Sequence, residues 1–357
     1  MKILALDLGK RKSVFVDYDT ANSGGREFGK IGTNREEVAA MLEKRRPDRL
    51  VIEASGPAGW VSDVAREKKI EVQVANGNDP RWQWKRVKKK SDRDDGLKMA
   101  QMSELGCLPV VHMPDAQVRQ WRSLIEYRHG LVDRRTAIKN SIRALYDRQG
   151  IAICSGDHTW TKAGLADLAK DARDSALTAV DELWRLQLHC ELKLLEAVAI
   201  QIAEVERKLA EVAESRKAVA LLKTAPYVGP RLSEAVAAIL DDPKRFKSGR
   251  EVGAYAGLTP RLLQSGESDR QGHISHQGNG LLRELLVEVS WLGVRSDPWM
   301  KQVYENVRRG SDKRKKIAIV AVARRLLVRL WAMWRDNTEW QAPALRAGTL
   351  TAGAGTT

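Results

Sequence analysis

Three lysines run directly into three carboxylates at Lys88-Lys89-Lys90-Ser91-Asp92-Arg93-Asp94-Asp95. If this stretch opens a helix, Asp92 and Asp95 stand at i and i+3 and share one face. Two carboxylates so placed repel each other unless something positive lies beside or between them. A divalent cation would answer that; so would a plain helix start, with Ser91 or Asp92 as the cap and the lysines solvated. Two further acids bear on the choice. Asp7 falls near the end of the apolar run KILALDL at residues 2–8, and Glu53 closes RLVIE at residues 49–53. The C-terminal ends of strands are where open α/β sheets gather their chemistry. Asp7, Glu53, Asp92 and Asp95 together suit Mg²⁺, with Mn²⁺ able to substitute. Two such ions about 4 Å apart can clamp a phosphodiester undergoing in-line displacement. The competing description is a set of scattered surface acids. Asp94 lies on a different helical face and is assigned to solvent, although it could substitute for either neighbour.

A second group of candidates lies in the irregular, basic segment 261–279. Ser265 stands before Gly266, which alone describes an ordinary loop serine. Its hydroxyl can attack phosphorus only if it is deprotonated or metal-activated and the leaving oxygen is stabilised. His273 and His276 have a metal-ligand spacing, but no further Cys or His accompanies them, so they are assigned to phosphate or base contacts.

The elements that must position these groups follow from the patterning. Residues 2–8 and 12–18 form a hairpin turned at Gly9, with a third strand at 26–31. Asn34 caps an amphipathic helix over 36–45 that turns Val38, Met41 and Leu42 to one side. Strand 49–53, a helix through Val61 and Val64, and strand 70–75 precede the helix bearing Asp92 and Asp95. The order β-β-β-α-β-α-β-α predicts a mixed sheet with helices on its faces. From about residue 114 the chain turns to long helices. Leu188, Leu195, Ile202 and Leu209 repeat every seven residues, and Glu206 interrupts the seam. Such a seam needs a partner, in the helix over 121–145, in another subunit, or in both. At Thr224-Ala225-Pro226-Tyr227-Val228-Gly229-Pro230 the helices stop at a turn that either holds a phosphate or merely joins two helices. Helices resume over 281–293 and 313–334, the latter strongly basic, and the tail 341–357 is expected to be disordered.

Composition narrows the partners. The chain has 357 residues, enough for two or three units, and a net charge of +15. Such a charge favours a polyanion, with nucleic acid ahead of a membrane surface. Of the Trp residues, 11 in all, Trp82, Trp84, Trp121, Trp331 and Trp334 stand beside or near Arg or Lys, as stacking with phosphate contacts would require, although most Trp serve as core. Cys107, Cys154 and Cys190 suggest neither a disulfide framework nor a zinc cluster. The start of the chain does not resemble a signal peptide and no apolar run approaches a membrane span, so a reducing cytoplasm is expected.

These motifs resemble one family over nearly the whole chain: the DEDD transposases of bacterial insertion sequences, the insertion-sequence-110 family. The likeness rests on Leu6-Asp7-Leu8-Gly9, Ile52-Glu53-Ala54-Ser55-Gly56 and Lys90-Ser91-Asp92-Arg93-Asp94-Asp95. Toward the C-terminus it rests on Gly257-Leu258-Thr259-Pro260-Arg261, Gln264-Ser265-Gly266, Gly272-His273-Ile274-Ser275 and Gly278-Asn279. The resemblance implies α/β plus α architecture. A RuvC-like, ribonuclease-H-type domain over 1–112 would hold Mg²⁺ on Asp7, Glu53, Asp92 and Asp95. A helical coiled-coil segment over 113–222 and a mostly helical transposase domain over 223–340, with Ser265 as nucleophile, would follow. It further implies donor and target DNA, a non-coding bridge RNA, a dimer or tetramer in which the acids of one subunit serve the serine of another, and a bacterial, nucleoid-associated location. Departures are Asp94 in place of an apolar residue, Gly96 in place of Ala, Tyr227 in place of Gly and His276 in place of Lys. The first alternative is a RuvC-like nuclease or junction resolvase that uses metal-activated water. A nucleic-acid-binding factor with a degenerate site, and a sugar-kinase-like or actin-like ATPase, fit less well: the four acids are complete, and further phosphate-binding glycine motifs are absent.

Overall fold

The computed structural model describes residues 1–22, 25–77, 79, 92–154, 156–173, 178–265, 268–275 and 277–343, with Asp92, 261–265 and 268–271 described through their backbone alone. The lysine run, Ser91, Trp82, Trp84, His276 and the tail from 344 onward lie outside the described residues. The chain divides into two units, Met1–Gln120 and Trp121–Thr357.

In the first unit the element order is the one expected. Strands β1 (Lys2–Asp7) and β2 (Lys12–Asp19) form an antiparallel hairpin, and β3 (Arg26–Gly32) adds antiparallel to β2. Gly9 is required in the turn, because a Cβ there would stand 2.3 Å from the carbonyl oxygen of Lys12. Helix α1 (Arg35–Arg45) starts at Asn34, whose Oδ1 accepts from the Glu37 amide at 2.9 Å. The Glu37 carboxylate in turn accepts from the Gly32 amide at 2.6 Å, which fixes the angle between β3 and the helix. Strand β4 (Arg49–Glu53), helix α2 (Ala58–Glu67), strand β5 (Glu71–Ala75) and helix α3 (Asp92–Glu104) complete the unit. The sheet order is β3-β2-β1-β4-β5, with β1, β4 and β5 parallel.

Alternation along the strands sorts this sheet into two faces. Leu4, Leu6, Leu50 and Ile52 pack with Val38, Leu42 and Val61 of α1 and α2. Ile3, Ala5, Val16 and Val51 pack with Met99 and Ala100 of α3. Each fully buried aliphatic side chain contributes about 2 kcal/mol, so both faces are firmly held.

The second unit is largely helical. Helix α4 (Ala116–Gln149) is followed by a 3-10 turn (His158–Trp160), α5 (Lys162–Asp171), α6 (Leu183–Glu214), α7 (Lys217–Leu222), α8 (Pro230–Leu240) and α9 (Gly249–Tyr255). Then come β6 (Pro260–Ser265), β7 (Ser268–Ile274), α10 (Gly280–Ser296), α11 (Pro298–Arg308) and α12 (Lys315–Asp336). The buried residues of α6 are Leu188, Leu195, Ile202 and Leu209, the four heptad positions. Their partner within the chain is α4. Ser141 donates to Glu191 at 2.9 Å and Arg128 to Glu206 at 2.6 Å, so the two helices run antiparallel. Glu206 interrupts the apolar seam because it also pairs with Arg231 of α8 at 3.1 Å. Arg231 reaches Glu234 at 3.3 Å, a fully buried carboxylate whose pKa is raised by its burial. In the turn before α8, Tyr227 adopts φ 65°, the left-handed conformation that glycine takes freely.

One expectation is corrected. The segment 261–279 is not irregular: β6 and β7 pair as an antiparallel ribbon, Ser265 opposite Ser268, with a bulge near Pro260–Leu262. The ribbon is held by cross-strand backbone bonds, which do not depend on side-chain polarity, so it needs little apolar alternation in its sequence.

Candidate active site

Asp7 and Glu53 end adjacent parallel strands, with Leu6 opposite Ile52 in the register. Ala5 and Val51, two residues earlier on each strand, face α3, so both carboxylates project from that same face. Both residues are half-buried. Helix α3, which begins at Asp92, lies across this face. Gly96 in its first turn is buried on β2, and a Cβ there would stand 2.7 Å from Val16 Cγ2. A glycine at this position lets the helix start settle close to the strand beside Asp7. Asp95 is half-buried, whereas Asp94 is exposed, as its different helical face requires.

The far end of α3 is pinned by polar contacts. Tyr18 Oη donates to Glu104 at 2.6 Å, Arg49 donates to the Ser103 carbonyl at 3.2 Å, and Ser103 Oγ donates to Gln73 at 2.8 Å. The Glu104 carboxylate, with burial adding to it, raises the Tyr18 pKa above its ordinary value. These bonds fix the rotation of α3 on the sheet, and with it the direction in which Asp95 leaves the helix.

Glu53 has a neighbour that its sequence context does not announce. A Cβ on Gly77 would stand 1.9 Å from Glu53 Oε1 and 2.9 Å from its Cδ. The carboxylate therefore lies directly over the Gly77 backbone, in space that any side chain would fill. Among the described residues no three His, Cys, Asp or Glu side chains lie close enough to hold a metal; Asp92 contributes only its backbone position to that description.

Ser265 ends β6 in the second unit, and the base of its ribbon is held by a clasp. Gly257 has φ +69° and Gly278 φ +95°. A Cβ on Gly257 would stand 1.8 Å from the Gln277 carbonyl oxygen, and one on Gly278 would stand 2.1 Å from that of Tyr255. The two backbone segments thus cross in direct contact. Arg283 locks the crossing by donating to the carbonyls of Ala256, Gln277 and Gly278 at 3.2, 3.3 and 3.2 Å. Ser275 N adds a bond to the Thr259 carbonyl at 3.0 Å. His273 is exposed on β7. Arg283 and Gly77 were missed from the sequence; the Gly278-Asn279 motif was the signal that could have directed attention to the clasp.

Comparison with known proteins bears on the family of the chain. Residues 4–149 match the DEDD transposase model of the IS110 group, described as Transposase. Residues 219–305 match a second model, described as Transposase IS116/IS110/IS902 family. The chain is 25% identical over 346 residues to the transposase for insertion sequence element IS1111A of Coxiella burnetii, covering 93% of this chain and 89% of that one. It is 29% identical over 208 residues to the transposase for insertion sequence element IS1328 of Yersinia enterocolitica, covering 56% of this chain and 58% of that one. Among solved structures, Thermus thermophilus RuvC matches 31% of this chain over its own full length at 13% identity, with a TM-score of 0.23, a likeness too slight to bear on the fold. Two models of one family, matched at opposite ends of the chain, and a relative aligned along nearly all of it agree: this chain belongs to the IS110 family of DEDD transposases.

Proposed function

We propose that this transposase cuts and rejoins DNA with a Mg²⁺-dependent carboxylate centre and a serine nucleophile, guided by a bridge RNA. The observation that carries the reading is the placement of Asp7 and Glu53 at the ends of adjacent strands, on the sheet face that α3 covers. Helix α3 carries Asp92 and Asp95. That sheet order, with β2 antiparallel to both neighbours, supports a RuvC-like, ribonuclease-H-type domain. The donor set fits the ion: all four groups are hard carboxylate oxygens, and the Glu53 carboxylate rests in a cradle left open by Gly77. Bound there, Mg²⁺ would supply Lewis-acid stabilisation of charge on the phosphate oxygens.

Ser265 supplies the attacking oxygen. Its Oγ forms a bond to phosphorus as the bond from phosphorus to one sugar oxygen breaks; the serine loses its proton and the leaving oxygen gains one. A hydroxyl from a second strand reverses the step, restoring the serine and joining the new partners. The phosphodiester bond energy is conserved in the enzyme–DNA link, so no nucleotide cofactor is needed. Catalytic assembly is a dimer or tetramer in which the acids of one copy serve the serine of another. The net charge of +15 suits a protein that holds an RNA and two duplexes together.

The carboxylate half of the proposal is tested by Asp7→Asn and Glu53→Gln. Each is expected to lower Mg²⁺-dependent nicking of DNA carrying the element ends by about 100-fold or more, with an unchanged thermal melt. Retention of nicking by both variants would remove the metal centre.

A further inference from the structure

The outer side of α12 carries a feature that the carboxylate centre and Ser265 do not use. A groove of about 1310 Å³ runs within the second unit between α12, the start of α9 and the base of the β6–β7 ribbon. Its floor is apolar, formed by Leu258, Ile317, Val320, Ala321 and Val328. Ile317 is 59% exposed, and the stripe recurs at helical spacing on the side of α12 opposite its buried core residues. Helix α9 forms one wall because Gly249 and Gly253 allow Val328 and Arg324 of α12 to approach its backbone.

The rim is cationic. Arg250, Lys313, Lys316, Arg324 and Arg325 line the groove, and no carboxylate lines it. Among the described residues none of these five forms an ion pair. Like charges gathered without counter-charges repel one another, and an anion laid along the rim would relieve that repulsion. A phosphodiester strand meets both halves of this description. A duplex does not, since it offers phosphates outward and keeps its base faces stacked inside, leaving the apolar floor without a partner. An unpaired strand presents base faces to the floor and phosphates to the rim. Apart from His273, no lining side chain can accept a hydrogen bond. The proton of each ribose 2′-hydroxyl laid on the floor would therefore find no side-chain acceptor apart from His273, a loss of hydration that deoxyribose avoids. The stretch of α12 from Lys316 to Ala332 spans roughly 24 Å, room for several nucleotides.

We propose that this groove holds an unpaired DNA strand, with bases and deoxyribose on the floor and phosphates along the cationic rim. The inference rests on the reading that DNA is the substrate, and it assigns a place to a strand freed from its duplex near the ribbon that bears Ser265.

Binding of the full-length protein in EDTA, where no cutting occurs, tests it by fluorescence anisotropy with labelled dT20, rU20 and a 20-base-pair duplex. The groove variants below are expected to weaken dT20 at least about 3-fold more than rU20, a difference that separates the groove from any surface that holds RNA. Lys316→Gln with Arg325→Gln, both exposed positions, is expected to weaken dT20 about 10-fold and to reduce the slope of log affinity against log salt by about 1.4, roughly 0.7 per lost phosphate contact. Ile317→Ser is expected to weaken dT20 about 3-fold and leave the duplex unchanged. Equal losses on strand and duplex, losses on rU20 as large as those on dT20, or displacement of dT20 by polyglutamate at matched charge would overturn the proposal, as would dT20 binding unaffected by either variant. Thermal melts verify that the variants are folded. Because strand binding in EDTA needs neither the carboxylates nor Ser265, it can fail while the Asp7→Asn result stands, and the reverse.

Discussion

Gly77→Ala perturbs the proposed carboxylate centre without replacing any of its four acids. The new Cβ would stand 1.9 Å from Glu53 Oε1, and the carboxylate would have to retreat by about 1.5 Å to reach an ordinary contact. The obstructed atom is the far end of a flexible side chain, and the backbone at Gly77 does not need a left-handed conformation. Folding stability should therefore change by less than about 0.5 kcal/mol. Activity should not be spared, because a displacement of about 1 Å at a reacting centre can cost 100-fold. That factor corresponds to about 2.7 kcal/mol of lost transition-state stabilisation. The assay is single-turnover nicking of element-end DNA across a Mg²⁺ titration, with a thermal melt in parallel. Expected results are a loss near 100-fold, a higher Mg²⁺ requirement and an unmoved melt. In a Glu53→Gln background the same substitution should add nothing, since its target is already disabled. Full activity in Gly77→Ala, or a loss that tracks the melt, would refute the idea that the open space over Gly77 serves Glu53.

Further consequences follow from other contacts. Tyr18→Phe removes the bond to Glu104 and should cost about 1–2 kcal/mol in urea unfolding at pH 8. Because the Tyr18 pKa is raised by folding, its contribution is fully present below the unfolded value near 10 and disappears as pH rises through the higher folded value; wild type should show that alkaline loss, and Tyr18→Phe should lack it. Arg283→Ala removes three bonds to carbonyls and should speed amide hydrogen exchange in residues 258–275 while leaving exchange in the first unit unchanged. Leu188→Ala empties a fully buried site in the α4–α6 pair and should cost about 3 kcal/mol, independent of protein concentration. A seam formed only between subunits would instead show a concentration-dependent loss.

Much of the first unit is legible in its sequence because period-two alternation and turn residues act locally. KILALD and RLVIE declare two strands and place Asp7 and Glu53 at their ends. The Asn34 cap and the heptad of Leu188, Leu195, Ile202 and Leu209 are equally plain. What escapes is set by contacts distant in sequence. Gly77 matters only because Glu53, on another strand, lies over it. Glu206 looks like a flaw in a seam until Arg128 and Arg231 are seen to meet it. The β6–β7 ribbon was hidden by its polar composition, and α5, α9 and α11, at 10, 7 and 11 residues, offer too few turns for a clear period.

A serine nucleophile requires a covalent bond between protein and DNA. Wild-type protein incubated with Mg²⁺ and a suicide substrate, nicked so that rejoining is blocked, should yield a covalent adduct. Peptide mapping by mass spectrometry should place the phosphoryl group on Ser265. Ser265→Ala should give neither adduct nor strand exchange. Cutting that persists in Ser265→Ala, with no adduct in the wild type, would instead make this chain a hydrolytic nuclease and contradict the serine mechanism.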